Sequence, residues 1–241
     1  MTEVKPVDHV RDNIIYEAIA GSHAFGTNIE GSDNDIRGAF IPPPHMLIGL
    51  DKIRDQREQT DDEHHYELAE WFYQMAKGAV NWVEVAFIDD RFVTVTSEWW
   101  DYIKEHRSMF LSKQVARKSL GFIGNMRRRS MAQLQQGSIT PAKAQKQAMH
   151  AVRTGREIVE LLDTGKMNVY RGSDKDNLLL IRLGEISLDE AFDEIDSLVI
   201  KIEDKIVSSP LREACDRATV DAILTHSILS YWKFQRWMDL Y

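Results

Sequence analysis

The period of the apolar pattern changes once along this chain, and that change limits the fold most. Up to about residue 95 the apolar residues come in short runs broken by turn formers. From about residue 97 they recur at helical spacing nearly to the C-terminus. Strand-forming segments followed by an uninterrupted series of helices give an α+β fold. We therefore expect a small N-terminal core over residues 1–95 and a helical domain over 96–241 that closes over it.

Within the first part, NIIYEAIA at 13–20 is apolar and runs straight into GSHAFGT. GSDNDIRGAFIPPP then alternates Asp33, Asp35 and Arg37 against Asn34, Ile36 and Gly38. Side chains two apart on a strand share a face, so this spacing predicts a strand carrying Asp33 and Asp35 together. Three prolines at 42–44 end it, and residues 45–61 read as polar loop. HHYELAEWFYQMAKGAV predicts a short strand leading into a helix, with Leu68, Trp71, Phe72 and Met75 on one side and Gly78 at the stop. NWVEVAFI at 81–88 suits a short helix or a buried strand.

In the second part Ser97 begins a helix as an N-cap. Two long periodic segments, 113–136 and 141–164, are split by Gly137-Ser-Ile-Thr-Pro141 and closed by Gly165. Ser187 followed by Glu190 is a capping-box pattern that opens a helix over 187–207. Pro210 opens a final segment rich in Trp and Tyr.

The 241 residues make one large domain or two small ones, with 43% apolar and 28% charged residues. No apolar run reaches the roughly 18 residues of a membrane helix, and the polar N-terminus is no signal peptide. One cysteine, Cys215, cannot form an internal disulfide, so a cytoplasmic location is the default expectation. The net charge of −8 disfavours non-specific nucleic-acid binding, although basic residues cluster at 113–129 and 143–156.

The chemistry sits in Gly21-Ser22-His23, followed by Asp33-Asn34-Asp35-Ile36-Arg37. Two carboxylates on one strand face can hold a divalent cation, and Mg²⁺ takes oxygen ligands while leaving room for triphosphate oxygens. A Gly-Ser turn offers backbone N–H groups and a hydroxyl to phosphates. A calcium loop counted from Asp33 would need Gly at its sixth position and Glu at its twelfth. Gly38 satisfies the first, but Pro44 stands where the bidentate Glu is required.

Gly-Ser, a short spacer and then Asp-x-Asp resembles the nucleotidyltransferase signature of the DNA polymerase β superfamily. More narrowly, GSHAFGT…GSDNDIRGAFIPPP is similar to the polymerase β-like family of RNA-repair pathways. YELAEWFYQMAKGAVNWVEVAF, KQAMHAVRTGREIVELLDTG and LLLIRLGEISLDEA carry the similarity over most of residues 15–210. The resemblance implies a palm-like mixed sheet and transfer of a nucleoside monophosphate from a nucleoside triphosphate to an acceptor hydroxyl. It implies Mg²⁺ or Mn²⁺ as cofactor and an RNA or tRNA 3′ end as acceptor. Gly21 and Ser22 would cradle the triphosphate, and Asp33 and Asp35 would ligate the metal. A third carboxylate from a neighbouring strand falls on Asp62, with Asp61, Glu63 and Glu67 nearby and His64 and His65 where the family has apolar residues.

Other residues have two readings each. His23 either touches phosphate or caps a turn, and Arg37 either meets the triphosphate or pairs with the aspartates. Adjacent His64 and His65 point to opposite strand faces, which argues against a shared zinc. Lys146, His150 and Arg153 lie on one helix face and could form a cationic wall for β- and γ-phosphates, or a solvated stripe. Arg127, Arg128 and Arg129 fan around a helix and read as solvated. Trp99, Trp100, Trp232 and Trp237 read as core or interface rather than base-stacking groups, and Glu84 as a buried structural acid. Three functional classes follow: transfer to RNA, transfer to a protein or small molecule, and a non-catalytic nucleotide-binding module.

Overall fold

The computed structural model describes residues 9–50 and 62–234. Strand β1 (Ile14–Ile19) is followed by a one-turn helix α1 (Gly21–Phe25), strand β2 (Ile36–Phe40) and a short helix α2 (Pro44–Ile48). Strand β3 (Glu63–Glu67) runs directly into α3 (Leu68–Ala76), then come α4 (Val80–Ala86) and β4 (Val93–Val95). The remainder is helical: α5 (Glu98–His106), α6 (Lys113–Gln135), α7 (Pro141–Thr164), α8 (Lys175–Leu183), α9 (Leu188–Ser208) and α10 (Arg217–Phe234). The fold is α+β, as the change of period requires.

The strands form one mixed sheet in the order β3-β2-β1-β4. β1 pairs antiparallel with β2 and β4, while β3 runs parallel to β2. The register aligns Tyr16 with Ala39 and Ala18 with Arg37, then Arg37 with His64 and Ala39 with Tyr66. Because the pleat has a period of two, these residues share one face. On that face Tyr16 stacks on Trp100 at 3.9 Å between centroids, and Trp71 packs near-parallel to both rings at 5.8 Å from Tyr16 and 5.7 Å from Trp100. The Tyr16 hydroxyl donates to the Val85 carbonyl at 2.8 Å, satisfying the one polar atom of a fully buried ring.

The predicted caps hold. Ser97 Oγ accepts from the Trp100 N–H, and Ser187 and Glu190 form a complete capping box. NWVEVAFI resolves as helix rather than strand, and the start of the expected loop at 45–61 is a helical turn. Trp100 is buried in the core and Trp232 packs half-buried against it, with Trp232 Nε1 donating to the Pro42 carbonyl. Trp99 meets Tyr231 and Phe234 edge-on, and Trp237 lies outside the described residues.

α7 lies at the centre of the helical part, packed by α6, α8 and α9. Gly155 makes the α7–α9 approach possible: a Cβ there would lie 2.9 Å from Leu198 Cδ1. The helical part also reaches the sheet end. Arg171 N–H donates to the Phe25 carbonyl, and Tyr231 Oη donates to Asn13 Oδ1. Among the described residues no helix is long and apolar enough to cross a membrane.

Candidate active site

β1 stops at Ile19 because the next residues turn away. Gly21 takes φ +59°, and α1 starts there. The same glycine makes room for a carboxylate: a Cβ at Gly21 would lie 2.0 Å from Asp35 Oδ2. Asp35 therefore sits directly over the Gly-Ser turn. Ser22 is buried, and its carbonyl accepts from the Thr27 N–H at 2.9 Å. His23 Nε2 faces the Ser32 carbonyl at 3.4 Å, tying α1 to the turn that precedes the aspartates. Arg182 on α8 donates to the Thr27 carbonyl and, at 3.3 Å, to Ser32 Oγ.

The expectation that Asp33 and Asp35 lie within a strand needs correction. β2 begins at Ile36, and both aspartates occupy the irregular segment before it. The physical reason is pairing. The Asp35 carbonyl still accepts from the Ala20 N–H at 2.7 Å, but beyond Ala20 the neighbouring chain has turned into α1. Asp33 is exposed, whereas the Asp35 side chain is 34% exposed and meets Arg37 Nη2 at 3.4 Å. Arg37 also donates to the carbonyls of Ile36 and Asp62.

Asp62 stands just before β3, and its carbonyl accepts from the Ile36 N–H at 2.6 Å. Extending the β2–β3 register by one residue sets Asp62 beside Asp35 on the same face. Its side chain is exposed and lies outside the cavity wall described below, whereas Asp35 is part of that wall. Asp61 lies outside the described residues. Asp33, Asp35 and Asp62 offer carboxylate oxygens only, a donor set that fits Mg²⁺ or Mn²⁺.

A cavity of about 390 Å³ opens over this sheet face. Gly21, Asp35 and Arg37 line it from the sheet end. His64 and Tyr66 of β3, Asn81, Trp82 and Glu84 of α4, Phe122 and Met126 of α6, and His150 and Arg153 of α7 complete most of the wall. Of the expected cationic face, α7 thus brings His150 and Arg153 to the cavity, while Lys146 is exposed nearby. Burial, then Arg153, Lys146 and Arg182, push the His150 imidazole down to about 3, so it is uncharged at neutral pH.

Arg153 is buried and committed. It donates to Glu157 Oε2 at 2.8 Å and Glu84 Oε1 at 3.0 Å, and Phe25 covers it at 3.7 Å from the ring centroid. Burial, and then the Glu84 charge, hold the Glu157 carboxyl well above the usual carboxylate range. Glu84 is the buried, ion-paired acid that the sequence indicated. Arg127 pairs with Asp196 and Arg128 donates to Asn125, so both are accounted for on the surface.

The two adjacent histidines do face opposite ways. His64 lines the cavity, while His65 is fully buried on the other face. There its Nε2 lies 3.0 Å from Glu17 Oε2 and its Nδ1 3.5 Å from Glu63 Oε1. Among the described residues these three form the group whose potential metal-ligating atoms lie within 4.8 Å of one another; Asp33, Asp35 and Asp62 do not form such a group.

Sequence reasoning passed over Tyr66, Asn81, Trp82, Phe122, Met126 and Arg182. The signal was weak but present: Phe122 and Met126 are four apart on a helix already expected, and Tyr66 shares strand parity with His64.

The mixed sheet, the glycine turn beneath an Asp-x-Asp carboxylate and the helical second part define an α+β protein with an acidic site at the sheet end. A family model described as the RNA repair pathway DNA polymerase beta family, RlaP, matches residues 1–179. The chain belongs to that family. No curated protein matches the chain at a significant level.

Proposed function

We propose that this protein is a divalent-metal-dependent nucleotidyltransferase that moves a nucleoside monophosphate from a nucleoside triphosphate to a hydroxyl, with an RNA 3′ end, such as that of a tRNA, as acceptor. The observation that carries the reading is Asp35 seated over Gly21, two residues after Asp33, at one end of a cavity large enough for a nucleotide. Membership of an RNA-repair family favours the RNA acceptor.

Asp33 and Asp35, with Asp62, would hold Mg²⁺ or Mn²⁺, which supplies neutralisation of the charge on the triphosphate and the leaving group. The turn at Gly21 and Ser22, with His23, orients the phosphates, and Lys146 and Arg182 add positive charge near them. Arg37 holds Asp35 in place. The acceptor oxygen attacks the α-phosphorus. A new P–O bond forms, the bond to the β-phosphate oxygen breaks, and pyrophosphate leaves with that electron pair. The hydroxyl proton passes to the Asp62 carboxylate and then to water. A protein or small-molecule acceptor is the second reading, favoured by the net charge of −8, which disfavours long nucleic acid.

The test uses each α-³²P-labelled nucleoside triphosphate with Mg²⁺ or Mn²⁺, total tRNA and lysate protein. Label on a denaturing gel that RNase removes supports the RNA acceptor; label that protease removes supports the second reading. Asp33→Asn and Asp35→Asn should each lower turnover by at least about a hundredfold while leaving the thermal transition in place. Full activity in either variant would sink the mechanism. A tight partner with no metal-dependent turnover would favour a binding module.

A further inference from the structure

The cavity has two chemically different ends. Cations and turn groups gather near Asp35: Arg37 in the wall, and Arg182 on the Thr27–Ser32 turn. The other end is aromatic, with one methionine. Tyr66 and Trp82 lie 4.2 Å apart between centroids, and Phe122 and Met126 face the same space from α6. Among the described residues Arg153, the α7 cation of the cavity wall, is already paired with Glu84 and Glu157. Among the described residues a phosphate would find no uncommitted cation there, whereas a flat uncharged ring would find apolar and π surface.

The strand geometry gives the spacing. Tyr66 aligns with Ala39, four residues along β2 from Asp35, or roughly 13 Å at the rise of a parallel strand. A phosphate, ribose and base laid end to end can fill that span. One polar group completes the end: the Asn81 amide is exposed at the cavity wall and makes no hydrogen bond among the described residues. An amide presents a donor and an acceptor side by side, which suits the edge of a nucleobase.

We propose that this aromatic end is the nucleobase subsite, with the base packed against Trp82, Phe122 and Met126 and its edge read by Asn81. The proposal rests on the nucleotidyltransfer reading and goes further by assigning which residues recognise the base. It also orients the substrate. The α-phosphate lies at Asp35, the β- and γ-phosphates lie toward Gly21, Ser22 and Arg182, and the base lies beneath α4 and α6.

The experiment compares binding of α,β-methylene analogues of the four nucleoside triphosphates with binding of tripolyphosphate, all with Mg²⁺ and the full chain. Phe122→Ala removes stacking surface, and Met126→Trp fills the space without emptying the core; a thermal melt verifies that each variant folds. Both should weaken the nucleotide analogues by about tenfold or more and leave tripolyphosphate unchanged. Asn81→Ala should flatten the preference among the four bases. If the variants bind the analogues like wild type, or raise only the acceptor KM, the base lies elsewhere and the assignment falls. Equal loss of analogues and tripolyphosphate would likewise overturn it. If wild type binds neither probe, the nucleotidyltransfer reading itself fails, and the subsite with it.

Discussion

At the residue scale, Gly21 and Glu157 make the sharpest cases. Gly21 combines φ +59° with a carboxylate where its side chain would be. Gly21→Ala must displace Asp35 and strain the turn, costing about 1 kcal/mol of backbone energy alone. We expect turnover to fall at least about tenfold more steeply than stability explains, measured as kcat beside a urea unfolding curve; unchanged kcat would mean that Asp35 need not sit where it does. Glu157 makes a pH-dependent case. Its pKa is raised above the ordinary 4.5 by burial first and the Glu84 charge second. The folded chain thus holds this proton more tightly than the unfolded one. Its stabilisation is complete below about pH 4.5 and is lost as pH rises through the raised value. Glu157→Gln keeps an oxygen for Arg153 and removes the titration. The variant should match wild type near pH 4.5 and gain on it by pH 8; the same difference at both pH values would contradict a raised Glu157 pKa as the cause.

At the element scale, α7 matters most, because it carries His150 and Arg153 to the cavity while packing α6, α8 and α9. Gly155→Val would drive a side chain into Leu198 and separate α7 from α9. Overpacking of this kind costs about 1–3 kcal/mol. A shifted α7 should also raise the KM for the nucleotide, so stability and KM should move together; a loss of stability with unchanged KM would show that α7 does not set the cavity. Much at this scale was legible in the sequence. Ser97, Ser187 with Glu190, and Gly165 mark helix ends through local hydrogen bonds and backbone preferences, and the helices begin and end there. The beginning of β2 was not legible, because a strand extends only as far as its neighbour, and β1 yields to α1 at Gly21.

At the scale of the whole molecule, the sheet and the helices share one apolar core. Tyr16 and Trp71 from the first part stack with Trp100 from the second, and Tyr231 near the other end of the chain bonds to Asn13. Residues 1–95 expressed alone would expose Tyr16 and Trp71 and lose Arg153 as counter-ion to Glu84. We expect that fragment to show no cooperative thermal transition by circular dichroism. A sharp transition would establish the first part as an independent domain and make the helical part an addition to it.

The sequence by itself determined the α+β class, the Ser97 cap, the approximate ends of α6, α7 and α9, and the opposite orientation of His64 and His65. Each of these depends on contacts a few residues apart or on strict periodicity, which a linear string records. Tertiary structure alone decided that Asp35 rests over Gly21, that Glu84 and Glu157 share Arg153, and that Tyr66, Trp82, Phe122 and Met126 meet at one end of a cavity. Those residues come from different elements, far apart along the chain. Which of them meet depends on how helices pack on the sheet and on one another, where each contact is fixed by the shapes of all its neighbours at once.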